Sequence, residues 1–149
     1  MRFSTLICTL ALGGFSAGIQ ASAIDFWHSN TVWVNFGMCS ASFTFDEGSL
    51  GRTIENMQVE LTAINSKNKP VSKIVLDVDD FGRSDAERYS GAFWEDENAC
   101  DDTLKLTVTA ATARIDGQKK NLLAEGLLNA RDFKPFQIQF NSLNSPTKK

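Results

Sequence analysis

The sequence contains little of what catalytic and nucleic-acid-binding domains usually need. Among 149 residues there are one His and three Cys, and 15 Lys and Arg face 18 Asp and Glu, which gives a formal net charge of −3. No run of basic residues is present, although a protein that displaces counterions from phosphates needs one. We therefore expect no nucleic acid among its partners.

The common catalytic and cofactor-binding motifs are also missing. The sequence has no Gly-x-Ser-x-Gly elbow, no Gly-rich phosphate loop and no His-Glu-x-x-His. A Ser or Cys nucleophile normally needs a His base, and the single His28 lies in the N-terminal lead-in, where we expect a solvated side chain at the domain edge. Two thiols and one imidazole are too few ligands for zinc. We expect no catalytic residue, metal or cofactor, and hence no enzyme.

A hydrophobic run occurs only at the start of the chain. Residues 1–2, 6–12 and 21–23 have the charged start, apolar core and small-residue cleavage site of a secretory signal peptide. A membrane anchor needs about 20 apolar residues, and three glycines and Gln20 interrupt this run. We predict that residues 1–23 are removed. The mature protein is then secreted or periplasmic, has no membrane span, and keeps 14 basic against 18 acidic residues.

Two cysteines, Cys39 and Cys100, remain after cleavage. Because an exported protein passes through an oxidising compartment, we expect them to form a disulfide. In the loop-entropy model, such a bridge stabilises the fold by about 4 kcal/mol, less any strain. Two free buried thiols are the alternative.

Alternation of apolar and polar residues is the clearest pattern that is present, and it indicates half-buried strands. In 57–64 every second residue from Met57 to Ala63 is apolar and falls on one face, and in 104–111 the predicted inner face runs from Leu104 to Ala110. Near the start, Val32, Val34 and Phe36 share one face and Trp33 takes the other. The remaining alternating runs are Cys39–Phe45, Lys73–Asp79 and Phe136–Phe140, with a weaker strand at Tyr89–Trp94.

Turn signals separate these runs, at Asn65–Pro70 and in the two-residue hairpin turn Asp116–Gly117. Seven or eight short strands at this spacing predict an all-β fold, a β-sandwich of the fibronectin type III or immunoglobulin-like kind, with residues 24–149 as one domain. An open sheet with helices is the alternative. The segment 121–129 is compatible with a helix or a loop.

Acidic residues are concentrated in 77–80 and 95–102. Asp77 and Asp79 lie on one strand face about 7 Å apart, which leaves a small carboxylate-based hydrolase as a third-ranked option. The same stretch resembles a calcium loop, but Phe81 and Arg88 stand where carboxylates are needed. Charge that keeps strand ends and loops soluble is the favoured interpretation.

Aromatic residues are the most suggestive candidates for binding. Trp33, Tyr89 and Trp94 lie in strands, and an exposed aromatic side chain is a frequent anchor of protein interfaces. If a second sheet or a partner chain covers Trp33, it is instead a core residue. An N-terminal strand at a sheet edge would also allow a strand-exchanged homodimer.

The segments Phe26–Phe45, Met57–Val78 and Phe136–Phe140, together with the signal peptide and the cysteine pair, resemble the bacterial interleukin receptor mimic protein A family. The resemblance implies a fibronectin type III-like fold, dimerisation by exchange of an element, and binding of host interleukins in imitation of their receptors. It implies no catalytic residues. Because Cys100 precedes its strand and no Tyr lies two residues before it, the antibody-type bridge is not expected.

We expect a secreted, non-enzymatic binding protein that engages a host cytokine and modulates the immune response. The alternative is a periplasmic interaction domain or enzyme inhibitor with a bacterial partner, which would pair edge strands with that partner.

Overall fold

The segments in which apolar and polar residues alternate form strands wherever the sequence predicts them. The structure also has short strands that the alternation does not reveal. The computed structural model describes residues 23–48, 50–82, 87–131 and 136–141, so the predicted signal peptide lies outside the described residues except for Ala23. Nine strands are present in this part of the chain, and a short 3-10 helix spans Glu97–Cys100. The strands are β1 Ile24–Asn35, β2 Met38–Asp46, β3 Ile54–Ile64, β4 Pro70–Val78, β5 Tyr89–Asp96, β6 Lys105–Ile115, β7 Gln118–Asn121, β8 Leu128–Ala130 and β9 Gln137–Phe140.

The strands form two sheets. The four-stranded sheet has the order β5-β2-β1-β8, and the five-stranded sheet has the order β4-β3-β6, with β7 and β9 both beside β6. Pairing is antiparallel except for β1 with β8 and β6 with β9. The fold is therefore an all-β sandwich, as predicted, with nine strands instead of seven or eight.

The core fills the space between the two sheets. Its largest members come from alternate positions of β1, β2, β3 and β6 and from the residue before β9. Phe26 and Phe45, which are register partners on β1 and β2, stack with their ring centroids 5.2 Å apart. Burying aromatic rings of this size contributes much of the free energy that stabilises a small sandwich. The largest fully buried aromatic side chains are Phe26, Phe43, Phe45 and Phe136.

A β-bulge in β6 corrects one predicted face. Glu60 is opposite Ala110, but the next residue of β3, Leu61, is opposite Val108, so Thr109 is the extra residue. An extra residue reverses the in-and-out order of the strand beyond it. The buried series therefore runs through Leu106 and Val108 and continues at Ala111, and the predicted inner position of Ala110 is wrong.

Within 121–129, residues 122–126 form a turn between the end of β7 and the start of β8, so this segment contains no helix. The Asn121 side-chain oxygen accepts hydrogen bonds from the backbone N–H groups of Leu123 and Ala124, at 3.2 and 3.1 Å. Gly126 has a φ of 66°, which ends the turn before a helix can extend. Both predicted tight turns, Asn65–Pro70 and Asp116–Gly117, are present. No helix in the described ranges is long and apolar enough to cross a membrane.

His28 is buried, so the expectation of a solvated side chain is wrong. Only 1% of its surface is exposed, because its ring packs edge-on against Phe43 and Phe136, with centroids 5.7 and 4.7 Å away. Its Nε2 lies 2.8 Å from Oγ1 of Thr31. Burial lowers the pKa of His28 below its ordinary 6.5, and a backbone hydrogen bond of Asn30 opposes this only in part.

This burial predicts a loss of stability in weak acid. The unfolded chain binds a proton near pH 6.5 that the folded chain binds less readily, so the free energy of unfolding falls as the pH drops from about 7.5 to about 5.5. Urea unfolding of wild type and His28→Gln across this range measures the effect. The variant, whose side chain does not titrate, should lose less stability over the range. Because His28 is the only histidine, equal slopes in the two proteins would show that it is not the responsible group.

Candidate functional site

The hairpin formed by the end of β1 and the start of β2 projects beyond the core. Strand residues normally bury alternate side chains, but here both faces are open to solvent because the five-stranded sheet does not cover them. We call the five large apolar side chains of this projection the hairpin patch. Their exposed fractions are 50% for Val32, 68% for Trp33, 41% for Val34, 96% for Phe36 and 36% for Met38.

Two bulges in β1 set which way these side chains point. The register shifts between His28 and Asn30 and again between Trp33 and Asn35. Trp33 is consequently opposite Cys39, on the continuation of the inner face, and Val32 is opposite Ser40, on the outer face. Sequence alternation placed Trp33 opposite to Val32, which is correct, but Val32 and Val34 do not mark a buried face.

The predicted disulfide is present and lies at the base of the hairpin. Cys39 and Cys100 are bonded, which joins β2 to the 3-10 helix that follows β5. Cys39 is buried while Cys100 is exposed, and Sγ of Cys100 lies 3.7 Å from the carbonyl oxygen of Gly37. The bridge therefore fixes the hairpin against the connection between the two sheets.

The turn of the hairpin contains an unfavourable residue. Phe36 and Gly37 have φ values of 48° and 81°, the left-handed pair that a two-residue turn of type I′ requires. The β6–β7 hairpin has the same turn with φ values of 51° and 78°, and there the chain uses Asp116 and Gly117. A bulky side chain at positive φ is rare, and strain of this kind concentrates at functional positions. Phe36 thus disfavours the backbone conformation of this turn, while its exposed ring is available for contact with a partner.

The outer face of the four-stranded sheet carries a second group of aromatic residues. Tyr89 and Phe93 lie on the same face of β5, opposite Asp46 and Ser42 of β2, with Gly91 between them. They are 50% and 63% exposed. Arg88 holds Tyr89 in place, since its guanidinium lies 4.8 Å from the ring centroid and donates a 2.7 Å hydrogen bond to the phenol oxygen. The same guanidinium pairs with Asp46 at 3.0 Å.

Arg131 makes a matching contact at the other side of this face. Its guanidinium lies 5.2 Å from the ring centroid of Trp27 and hydrogen-bonds the carboxylate of Asp25. Cation–π contacts of this kind are worth about 0.5–1 kcal/mol at exposed sites. Both arginines therefore support aromatic rings and are already neutralised by neighbouring carboxylates.

The three predicted binding residues lie in different places. Trp33 is in the hairpin patch and Tyr89 is at the opposite end of the outer face, about 23 Å away by the seven-residue offset of their β2 partners. Trp94 is 6% exposed and packs against Phe136, with centroids 6.1 Å apart. Its burial removes Trp94 from the surface, and the neighbouring Phe93 takes the exposed position.

Sequence reasoning missed Phe36, Met38 and Phe93 as surface residues. For Phe36 a signal existed, because a Phe before Gly between two alternating runs stands where hairpin turns favour Asn or Asp. For Phe93 and Trp94 the sequence gives two adjacent aromatic residues and no means to decide which one points inward.

The acidic pair considered for hydrolysis lies on the solvent-exposed face of β4 and just beyond its end. Asp77 and Asp79 are both exposed, and Oδ1 of Asp77 accepts a 2.6 Å hydrogen bond from Nε2 of Gln58. They line a shallow groove of about 580 Å³ with Arg114 and Lys119. Phe81, which stands where a calcium loop needs a carboxylate, is buried. The described residues contain no group of three or more His, Cys, Asp or Glu that could hold a metal ion.

The model of a protein family, interleukin receptor mimic protein A, matches residues 24–130 of this sandwich. The chain belongs to the interleukin receptor mimic protein A family. Its description as a receptor mimic indicates a binding protein, in line with the aromatic surfaces of the hairpin and the outer face. A comparison with curated proteins gave no match.

The fold is shared with a solved structure of the same family. IrmA from Escherichia coli superposes with a TM-score of 0.63 at 21% sequence identity, over 76% of this chain and 94% of that chain. At this level of identity the similarity concerns the fold alone. The similarity therefore supports the sandwich fold and assigns no role to the surface residues.

The strained turn predicts that Phe36→Asn makes the protein more stable. Asn adopts the left-handed conformation far more readily than Phe, so the free energy of unfolding should rise by about 1 kcal/mol. Urea unfolding measures the change. Phe36→Ala is the matched control, because it removes the ring but keeps an unfavourable residue in the turn. If both variants gained equally, the benefit would come from removing an exposed ring and the strain argument would be wrong.

Proposed function

We propose that this protein is exported and, after removal of residues 1–23, acts as a single β-sandwich domain that binds a host interleukin in the manner of a receptor. It works in an oxidising compartment, secreted or periplasmic, and modulates the host response by occupying its ligand without chemical change. The family assignment supports the receptor-like role. The single observation that carries the binding surface is the hairpin patch.

The hairpin patch has the physical properties of an interface core. By the surface of such side chains it exposes roughly 500 Å² of apolar area, which is at the upper end for a monomer and often marks a binding site. No Lys, Arg, Asp or Glu occurs between Ser29 and Phe45, and interface cores are depleted in charge. The disulfide at its base limits the flexibility of the hairpin, so little conformational entropy is lost on binding.

Trp33 is the proposed central anchor of this surface, with Phe36 at its tip. Trp and Tyr are the side chains that most often dominate interface energy. Phe93 lies on the outer face, as Val32 does, two register rows away, and extends this side of the surface toward Tyr89. An interface of standard size covers about 800 Å² on each partner, which is enough to include Phe93 together with the hairpin patch.

The proposal predicts that Trp33→Ala weakens binding of an interleukin by about tenfold or more, because a central anchor typically contributes upwards of 1.4 kcal/mol. Tyr89→Ala, at the far end of the outer face, should have a smaller effect. Surface plasmon resonance of the oxidised mature protein against immobilised interleukins measures both.

Val75→Ala is the matched control for this experiment. Val75 is 55% exposed on the other sheet, so its loss should leave affinity unchanged. Unaltered affinity in a folded Trp33→Ala protein would rule out the hairpin patch as the contact surface. Absence of binding across the whole panel would count against an interleukin ligand.

A bacterial partner in the periplasm is the second candidate, and an open strand edge favours it. Among the described residues, β8 pairs with β1 only from Ile24 to Phe26. Within the described ranges, the part of β1 from Ser29 to Asn35 pairs with β2 and with no other strand, and its second edge offers backbone groups to an added strand. A periplasmic pull-down with the oxidised protein tests this candidate. Recovery of one stoichiometric bacterial protein, without interleukin binding, would favour it.

The same edge supports a homodimer by strand exchange. Two copies that traded β1, or joined their β1 edges, would satisfy these backbone groups in a closed two-fold arrangement. Light scattering of the mature protein should then give twice the monomer mass. A monomer mass that persists as concentration is raised would contradict the dimer and leave the interleukin proposal intact.

A further inference from the structure

Acidic residues border the hairpin patch on one side. Glu95 is the β5 partner of Ser40, which is itself the β2 partner of Val32, so Glu95 lies two strands, or about 10 Å, from Val32 on the outer face. Asp96 is likewise the β5 partner of Cys39, which is the β2 partner of Trp33. Acidic side chains thus adjoin the hairpin patch on its β5 side, and Glu95 lies beside Phe93 on the outer face.

The connection after β5 continues this border. The 3-10 helix beginning at Glu97 is held against the hairpin turn by the disulfide and by the 3.7 Å approach of Cys100 to Gly37. Asp101 and Asp102 follow directly and are exposed. Hydrogen bonds from the side chain and backbone of Thr103 lower the pKa of Asp101, which keeps it ionised. We call the five residues Glu95, Asp96, Glu97, Asp101 and Asp102 the acidic collar.

The acidic collar carries only negative charge. The segments 29–51 and 89–104, which supply the hairpin, β2, β5 and the connection, contain no Lys or Arg. Among the residues that the structure describes, none forms an ion pair with any of the five carboxylates. An apolar centre beside unneutralised negative charge is complementary to a partner with an apolar cleft and a positive rim.

We infer that the hairpin patch and the acidic collar together select a cationic protein surface, in which an apolar cleft receives Trp33 and Phe36 while Lys or Arg side chains face the collar. This inference rests on the proposed function, to which it adds the chemistry of the partner. Among interleukins, those with a basic binding surface are the ligands.

The test uses a peptide probe that carries only the two proposed features of the partner, an apolar face and positive charge. An amphipathic helical peptide of Leu and Lys is titrated into the oxidised mature protein at low ionic strength, with tryptophan fluorescence as the readout. The peptide should shift the Trp33 emission to the blue, because the ring leaves water, and Trp33→Ala should abolish the shift. The corresponding Leu and Glu peptide should give none. Raising the salt to physiological strength should weaken binding several-fold by screening.

Matched charge variants separate the collar from the net charge. The triple variant Glu95→Gln, Glu97→Gln, Asp102→Asn should weaken peptide binding by about tenfold, since close charge pairs contribute on this scale. The control triple variant Glu55→Gln, Glu60→Gln, Asp79→Asn removes the same charge from outside the collar and should leave affinity within about twofold. Equal effects of the two triples, or equal binding of the Leu and Glu peptide, would overturn the inference.

A lipid surface is the competing occupant, and vesicles of phosphatidylcholine test it. A blue shift of Trp33 with vesicles and none with the Leu and Lys peptide would overturn the inference in favour of membrane insertion. An interleukin panel of graded isoelectric point separates this inference from the proposed function. Binding of acidic members, unaffected by the collar variants, would overturn the charge inference alone. Peptide binding without any interleukin binding would overturn the interleukin assignment alone.

Discussion

The disulfide between Cys39 and Cys100 is the constraint on which the surface of this protein depends. In β2, it lies where the covered part of the four-stranded sheet ends and the free hairpin begins. The bridge closes a segment with a sequence separation of 61. In the loop-entropy model this lowers the conformational entropy of the unfolded chain and raises the free energy of unfolding by about 4 kcal/mol. The bridge also acts locally, because the hairpin has no second sheet beneath it. Backbone pairing and this bridge are what hold its position.

The hairpin is a departure from the rules that the rest of the chain follows. Four Phe rings are fully buried in the core, yet Phe36 is almost completely exposed and occupies a backbone conformation that disfavours it. The chain forms the same turn at Asp116–Gly117 with a suitable residue. A sequence whose local choices otherwise agree with its fold usually breaks such rules at functional sites. This contrast within one chain is the strongest reason to look for the partner at the hairpin.

Much of the fold follows from the sequence, and the misses have local causes. The face of β3 from Met57 to Ala63 was predictable because no bulge interrupts it, whereas Ala110 was misplaced because the extra residue Thr109 leaves no mark in the alternation. The burial of His28 depends on Phe136, more than a hundred residues away, which no local pattern reveals. For the site, the sequence left open whether Trp33 is exposed or covered, and both Trp33 and Tyr89 are exposed. Trp94 and Phe93 were not distinguishable, because period-two reasoning cannot assign an inward face to adjacent aromatic residues.

An apolar projection needs a second feature if it is to select one partner. Hydrophobic contact is not directional, so the hairpin patch alone would adhere to any apolar surface, including the patch of another copy. The acidic collar changes this balance, because two copies that met tip to tip would bring ten carboxylates together and repel each other. A cationic partner would be attracted at the same distance. Specificity is a difference between affinities, and repulsion of wrong partners contributes as much as attraction of the right one. The hairpin patch therefore supplies most of the affinity, and the acidic collar restricts binding to partners with a cationic surface.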